Sequence, residues 1–290
     1  RDPAMRRFFK VLGPAVIGSA GFQISSFADT IIASLLPTGA VSALWYADRL
    51  YQLPFGVIAI AAGTVLLPEM SRRIAAGDVA GAHAAQNRAA GFSLALAAPF
   101  TVAFLTLPAL IMTALFQRGA FGAEDAARAA SVLAAYGLSL PAVVLVRSAL
   151  ASFYARQDTM TPLIASLTDI AINVALKVVL TGPYGVTGLA MATAIGQWVN
   201  LGLLVALAWR RGWMAPGRTL GVTVVGVVVA CIALAATAQY GLPLADALVP
   251  TLPRLREMAV LGLIGIAGTL VYAVLLLGTL RLFGLRLRRT

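Results

Sequence analysis

Six ionisable side chains, Asp29, Asp48, Arg49, Arg147, Asp169 and Lys177, interrupt stretches of sequence that are otherwise apolar. A charge at the centre of a hydrocarbon layer costs at least about 2.5–3.5 kcal/mol, so such a group normally faces a hydrated cavity or a partner. Arg49 stands first among them. A helix entered near Ala40 and rising about 1.5 Å per residue carries Arg49 about 14 Å deep, close to the midplane of a bilayer. Ser42, Tyr46, Arg49, Gln52 and Gly56 recur at helical spacing and share one polar face. Pro54 removes a backbone hydrogen bond one turn further on, and with Gly56 it marks a candidate hinge. Two readings suit Arg49: it reaches into a cavity, or it pairs with Asp48 or another helix to fix packing.

A second stripe runs through Ser166, Asp169, Asn173 and Lys177, and shorter ones through Thr193, Gln197 and Asn200 and through Ser19, Gln23, Ser26 and Asp29. Four polar faces in an apolar chain predict helices around a hydrated passage, while each Ser, Thr or Asn alone reads better as an interhelical hydrogen bond. Arg147 either snorkels to an interface or meets an anionic group entering from that side. His83 has no His, Cys or carboxylate cluster near it in sequence, and the single Cys231 lies in an apolar run, so neither suggests a metal site or an intramolecular disulfide. No nucleophile with a base, nucleotide motif or phosphate loop appears, which argues against an enzyme or an ATP-driven pump.

These residues must be positioned by elements of an unusual composition. Sixty per cent of the 290 residues are hydrophobic and 11% are charged, against roughly 45–50% and about 25% in soluble domains. Apolar runs of membrane-crossing length predict eight helical spans, near 11–36, 40–67, 89–115, 129–155, 163–181, 184–209, 219–240 and 258–280. An even number puts both ends on one side. Most Lys and Arg outside the spans fall on that side, and only Arg118, Arg128, Arg254 and Arg256 fall on the other, so both termini are expected to be cytoplasmic. The net charge of +11 reflects this bias and sets nucleic-acid binding aside. The stretches near 68–88 and 241–257 read as the longest loops. A softer boundary near 210–218 separates a polar-studded part, 1–210, from 211–290, whose two spans carry no charge.

Several stretches resemble the MurJ (MviN) family of lipid II flippases: Tyr46-Ala47-Asp48-Arg49-Leu50 with Leu53-Pro54-Phe55-Gly56-Val57, Leu66-Leu67-Pro68, Leu115-Phe116-Gln117-Arg118-Gly119-Ala120-Phe121, and Phe153-Tyr154-Ala155-Arg156-Gln157-Asp158 through Thr161-Pro162. The resemblance covers most of residues 8–210. It implies an all-α bundle of the multidrug/oligosaccharidyl-lipid/polysaccharide exporter superfamily, with two six-helix lobes around a cavity and two further helices. The chain then looks like the second lobe plus that pair. The first lobe, which in the family adds further cavity arginines, is not among these residues. The chain begins without an initiator Met and without a signal pattern, as a piece of something longer would.

The resemblance further implies that Arg49 holds the pyrophosphate of a lipid-linked disaccharide-peptide and that Arg147 stands at a position that is basic in relatives; Asp48, Tyr46 and Gln52, beside Arg49 on the same predicted helix, are the other candidate substrate contacts. A guanidinium suits that task, because it stays charged and gives paired hydrogen bonds to phosphate oxygens. Sodium-binding relatives use residues matching Asp29, Asn173 and Thr193, but their next carboxylate is here Lys177. Either Asp169 substitutes from the turn before, or no ion binds and Lys177 pairs with Asp29. No other cofactor is expected. The implied activity is flipping of lipid II across the bacterial inner membrane by alternating access, among membrane lipids and with the first lobe as partner. The alternatives are an exporter of drugs or of another polyprenyl-linked glycan, and a scaffold whose polar stripes only bind helices together.

Overall fold

In the computed structural model the described residues are 27–249 and 256–283, with nothing said of the side chains of 59–64. They are helical throughout, in the order α1 (27–34), α2 (Ala40–Ala75), α3 (Val79–Thr106), α4 (Pro108–Phe116), α5 (Ala123–Tyr154), α6 (Met160–Arg210), α7 (Arg218–Leu248) and α8 (Arg256–Leu282). Among the described residues, α3, α5, α6, α7 and α8 are long and apolar enough to cross a membrane.

α6 is the element that needs explaining. Fifty-one residues in one straight helix would reach about 77 Å, more than twice the roughly 30 Å of a hydrocarbon core. The helix instead breaks at Gly185, whose φ of 55° and ψ of −136° are non-helical and unsuited to a side chain. Its two limbs fold back as an antiparallel pair. A Cβ on Gly188 would strike the Leu180 carbonyl, and Asn200 Nδ2 reaches Asp169 Oδ2 at 3.5 Å. The limbs supply the fifth and sixth expected spans.

Local chemistry sets the other ends. Asp78 caps α3 by accepting from Gly81 N at 2.8 Å. Asp125 accepts from Gly122 N at 3.1 Å and, with Glu124, puts negative charge at the start of α5. Asp158 accepts from Thr161 N at 3.0 Å at the start of α6. Pro108 opens α4 after Leu107 leaves helical geometry, so the expected span 89–115 is two helices. The expected loop 68–88 is mostly helix, because α2 runs to Ala75 and α3 starts at Val79. α7 likewise extends to Leu248, into the expected loop 241–257.

α5 forms the centre and packs against α2, α3, α4 and α6. Of its apolar stretch 72% is buried, against 33% or less in α3, α6, α7 and α8. α7 and α8 pair with each other, α7 resting on α3 and α8 on α4. Tyr272 ties that pair inward by donating to Ala95 O at 2.8 Å. At one end Arg211 joins the connection 211–217 to Asp158 of the connection 155–159, Asn87 of α3 donates to Ala215 O, and Gln86 of α3 donates to Ser148 O of α5. At the opposite end Arg128 Nη1 donates to Thr38 O at 2.7 Å, and Ser131 meets Thr187.

Candidate functional site

α2 presents a sealed back and an open front. Ala40, Ala43, Leu44, Ala47, Tyr51 and Ile58 are buried, most of them in the core that α2 shares with α5. Ser42, Trp45, Tyr46, Arg49 and Gln52 are exposed on the other side. Arg49 Cζ sits 5.5 Å from the Trp45 ring centroid. Asp48 is half-buried beside it and accepts a short hydrogen bond from Gln52 Nε2. Tyr46 packs on Phe116 and Phe121, both at 4.8 Å between centroids. Helix α2 continues unbroken through Pro54 and Gly56. A Cβ on Gly56 would meet nothing within 4 Å, so packing does not demand glycine there.

Arg147 is exposed on α5 and lies over Phe55 of α2, 5.4 Å from the ring centroid. Tyr51 stacks on Tyr136 of α5 at 5.2 Å, fixing α2 and α5 behind this pair. Among the described residues, neither Arg49 nor Arg147 has a carboxylate within 4 Å. Charges at the helix ends behave differently: Glu69 pairs with Arg73 and Arg88, Asp78 with Arg73, and Asp158 with Arg211.

The second constellation is closed. Lys177 has no exposed side-chain surface, and its Nζ lies 2.8 Å from Asp29 Oδ1. Asp169 and Asn173 are buried on the same limb of α6. Asp169 Oδ2 accepts from Gln197 Nε2 and Asn200 Nδ2, both at 3.5 Å, the outer limit of a hydrogen bond. Gly196 allows this approach, since a Cβ there would collide with Asp169 Oδ1 and lie 3.3 Å from Asn173 Cβ. Thr193, half-buried, donates to Leu189 O in its own limb. The stripe Asp169–Asn173–Lys177 is therefore a seam facing α1 and the returning limb. The returning limb of α6 folds directly against it, with Gln197 and Asn200 reaching Asp169.

The structure thus brings Arg49, Asp48, Gln52 and Tyr46 to an open face with Arg147 at its margin, and Asp29 with Lys177 to a buried link. Sequence reasoning passed over Trp45 and Phe55. The four-residue step from Trp45 to Arg49 was a usable signal, whereas Phe55 meets Arg147 only across two helices. Among the described residues no three His, Cys, Asp or Glu side chains gather in a metal-sized group. What the open face can do chemically is hold an anion, through two guanidinium groups that among the described residues have no carboxylate within 4 Å.

Comparison with known proteins agrees in fold and in sequence. A family model described as "Lipid II flippase MurJ" matches residues 1–247. The "Probable lipid II flippase MurJ" of Rhizobium meliloti (strain 1021) is 38% identical over 280 residues, covering 94% of this chain and 51% of that protein. That of Rhizobium tropici is 39% identical over 222 residues, covering 75% and 42%. The chain spans about half the length of the curated relatives it matches. Its fold is that of a solved "Lipid II flippase MurJ, inward closed conformation", with a TM-score of 0.73 at 23% identity, covering 96% of this chain and 56% of that one. An outward-facing multidrug resistance MATE family transporter of the MOP superfamily follows at TM-score 0.61 and 16% identity, covering 92% and 63%. On the family match and these identities, this multi-pass membrane chain belongs to the MurJ family of lipid II flippases.

Proposed function

We propose that this chain contributes the anion-holding face of a transporter that moves lipid-linked peptidoglycan precursor, lipid II, across the bacterial inner membrane by alternating access. One observation carries the reading. Arg49 lies exposed on an apolar helix with no carboxylate in salt-bridge range among the described residues, while Asp48 beside it bonds to Gln52 instead. A scaffold would gain nothing from leaving that charge unpaired in an apolar setting. A pyrophosphate would gain a charged, two-pronged donor. Arg147, nearer one end of the bundle, would meet the same group on its way in.

The activity is assigned to the whole protein, to which this chain supplies one face, and no bond is made or broken in it. The positive charge of the basic connections supports assigning them to the cytoplasmic side. Pro54 and Gly56 are assigned a hinge that bends only during the transport cycle, and the α7–α8 pair, whose charges lie only near the helix ends, a surface for the lipid tail. Lys177 is assigned the place that sodium takes in relatives. A sodium-dependent rise in thermal stability that disappears in Asp29→Ala would overturn that last assignment.

The main test is Arg49→Ala in the full-length protein. Membrane insertion should be unchanged, while binding of lipid II should weaken about ten- to hundredfold and support of cell-wall synthesis should be lost. Cells that grow and divide normally on the Arg49→Ala protein alone would refute the reading. A drug exporter on the same fold would instead retain lipid II-independent transport and show no competition by the purified precursor.

A further inference from the structure

We infer that Trp45 and Phe55 are positioning residues: each offers a ring face that seats an arginine, Arg49 or Arg147, with the N–H edge of its guanidinium left open to pyrophosphate oxygens. This rests on the assignment of the two arginines given above.

The geometry has a local cause. Side chains on an α-helix lean toward its N-terminus, so Arg49 bends back over the residue four positions earlier, which is Trp45. The resulting distance of 5.5 Å to the ring centroid is within the range of a cation–π contact, about 6 Å. Arg147 reaches the equivalent arrangement from a different helix, crossing from α5 to Phe55 of α2 at 5.4 Å. Two unrelated backbone routes thus end in the same seat.

The choice of an aromatic partner has a chemical consequence. A carboxylate would occupy the guanidinium fork and cancel its charge, and a phosphate would then have to displace it. A ring attracts the cation through its quadrupole and covers one face of the planar group, leaving charge and donors available. The protein contains the contrasting case. Arg156 and Arg211 also lie over a ring, that of Trp213, at 5.1 and 4.8 Å. Their donors are taken: Arg211 binds Asp158 at 2.6 Å, and Arg156 donates to Ser152 O at 2.8 Å. Those two arginines pin a connection, whereas among the described residues no carboxylate lies within 4 Å of Arg49 or Arg147.

The experiment is a binding titration of the full-length protein with a short-chain polyprenyl-pyrophosphate disaccharide-peptide, alongside thermal unfolding. Trp45→Leu should weaken binding about three- to tenfold, and Trp45→Phe should stay within about twofold of the wild type. Trp45→Glu should lose as much as Arg49→Ala, because its carboxylate fills the fork. The loss in Trp45→Leu should vanish in an Arg49→Ala background, which a general packing defect would not produce. Should Trp45→Leu fail to insert stably, Phe55→Leu with Arg147→Ala runs the same cycle. Wild-type binding by the leucine variants, or an equal loss in the alanine background, overturns the positioning role. Wild-type binding by Arg49→Ala itself would refute the parent assignment instead.

Discussion

Lys177 Nζ and Asp29 Oδ1 stand 2.8 Å apart, joining α6 to α1 with no part of the lysine side chain exposed and 22% of the aspartate side chain exposed. Asp29 is the carboxylate in ion-pair contact with this buried ammonium, and removing one partner of a buried pair is far more costly than the pair is stabilising. Asp29→Asn should therefore destabilise the folded protein by about 3–5 kcal/mol. Asp29→Asn combined with Lys177→Gln, which removes both charges, should recover most of it. Thermal unfolding of the three proteins in one detergent checks this, and a double variant no more stable than the single one would show that the pair is not the cause.

The two polar stripes differ in exposure, and thiol chemistry separates them. Ser42 and Gln52 lie on the open face of α2, while Asn173 is 4% exposed within the α6 seam. In a full-length protein otherwise free of cysteine, Ser42→Cys and Gln52→Cys should react with a water-soluble maleimide, and Asn173→Cys should react at least about tenfold more slowly. A scaffold with a dry interior would protect all three.

Gly196 and Gly202 occupy the same limb of α6 in opposite circumstances. A Cβ on Gly196 would run into Asp169 and Asn173, whereas one on Gly202 would meet nothing within 4 Å. Gly196→Ala should cost about 1–3 kcal/mol by forcing the limbs apart. Gly202→Ala should be neutral or slightly stabilising, since alanine favours the helix. Denaturation of the two variants side by side measures the difference.

Asp158 gives a pH signature outside the membrane-spanning segments. Burial works to raise its carboxyl, but the Thr161 hydroxyl and N–H and the Arg211 guanidinium outweigh it and hold the group below the usual carboxylate range. A depressed folded value means that the contact stabilises the protein fully above the unfolded value of about 3.9 and ceases to do so as pH falls through the lower folded value. Asp158→Asn should accordingly unfold at lower temperature than the wild type at pH 7, with the gap closing below about pH 4. A gap that stayed constant to pH 3 would assign the effect to something other than ionisation.

Much of this was legible in the residues themselves. Apolar runs reported the helices, because length and hydrophobicity alone decide whether a segment can cross a hydrocarbon core. Helical spacing put Arg49 on a polar face, and the family resemblance, with Lys177 where sodium-binding relatives have a carboxylate, implied the lysine's pair with Asp29. What misled was the stripe through Asp169 and Asn173, which looked like the wall of a passage. Periodicity reports which side chains share a face but not what stands opposite, and here the opposite face is the second limb of α6, brought back by Gly185. The loop expected near 68–88 became helix for a related reason: polar residues end a hydrophobic run without ending a helix.

The sequence by itself determined that this is an all-α membrane chain, which charges interrupt its apolar runs, and which family it belongs to, since these depend on composition, spacing and local motif. Only the tertiary structure decided which of those charges are closed off and which are open. Lys177 and Asp169 are sealed by partners from other segments, and Arg49 and Arg147 rest on aromatic rings, because burial and pairing are properties of the space between helices and not of any one helix.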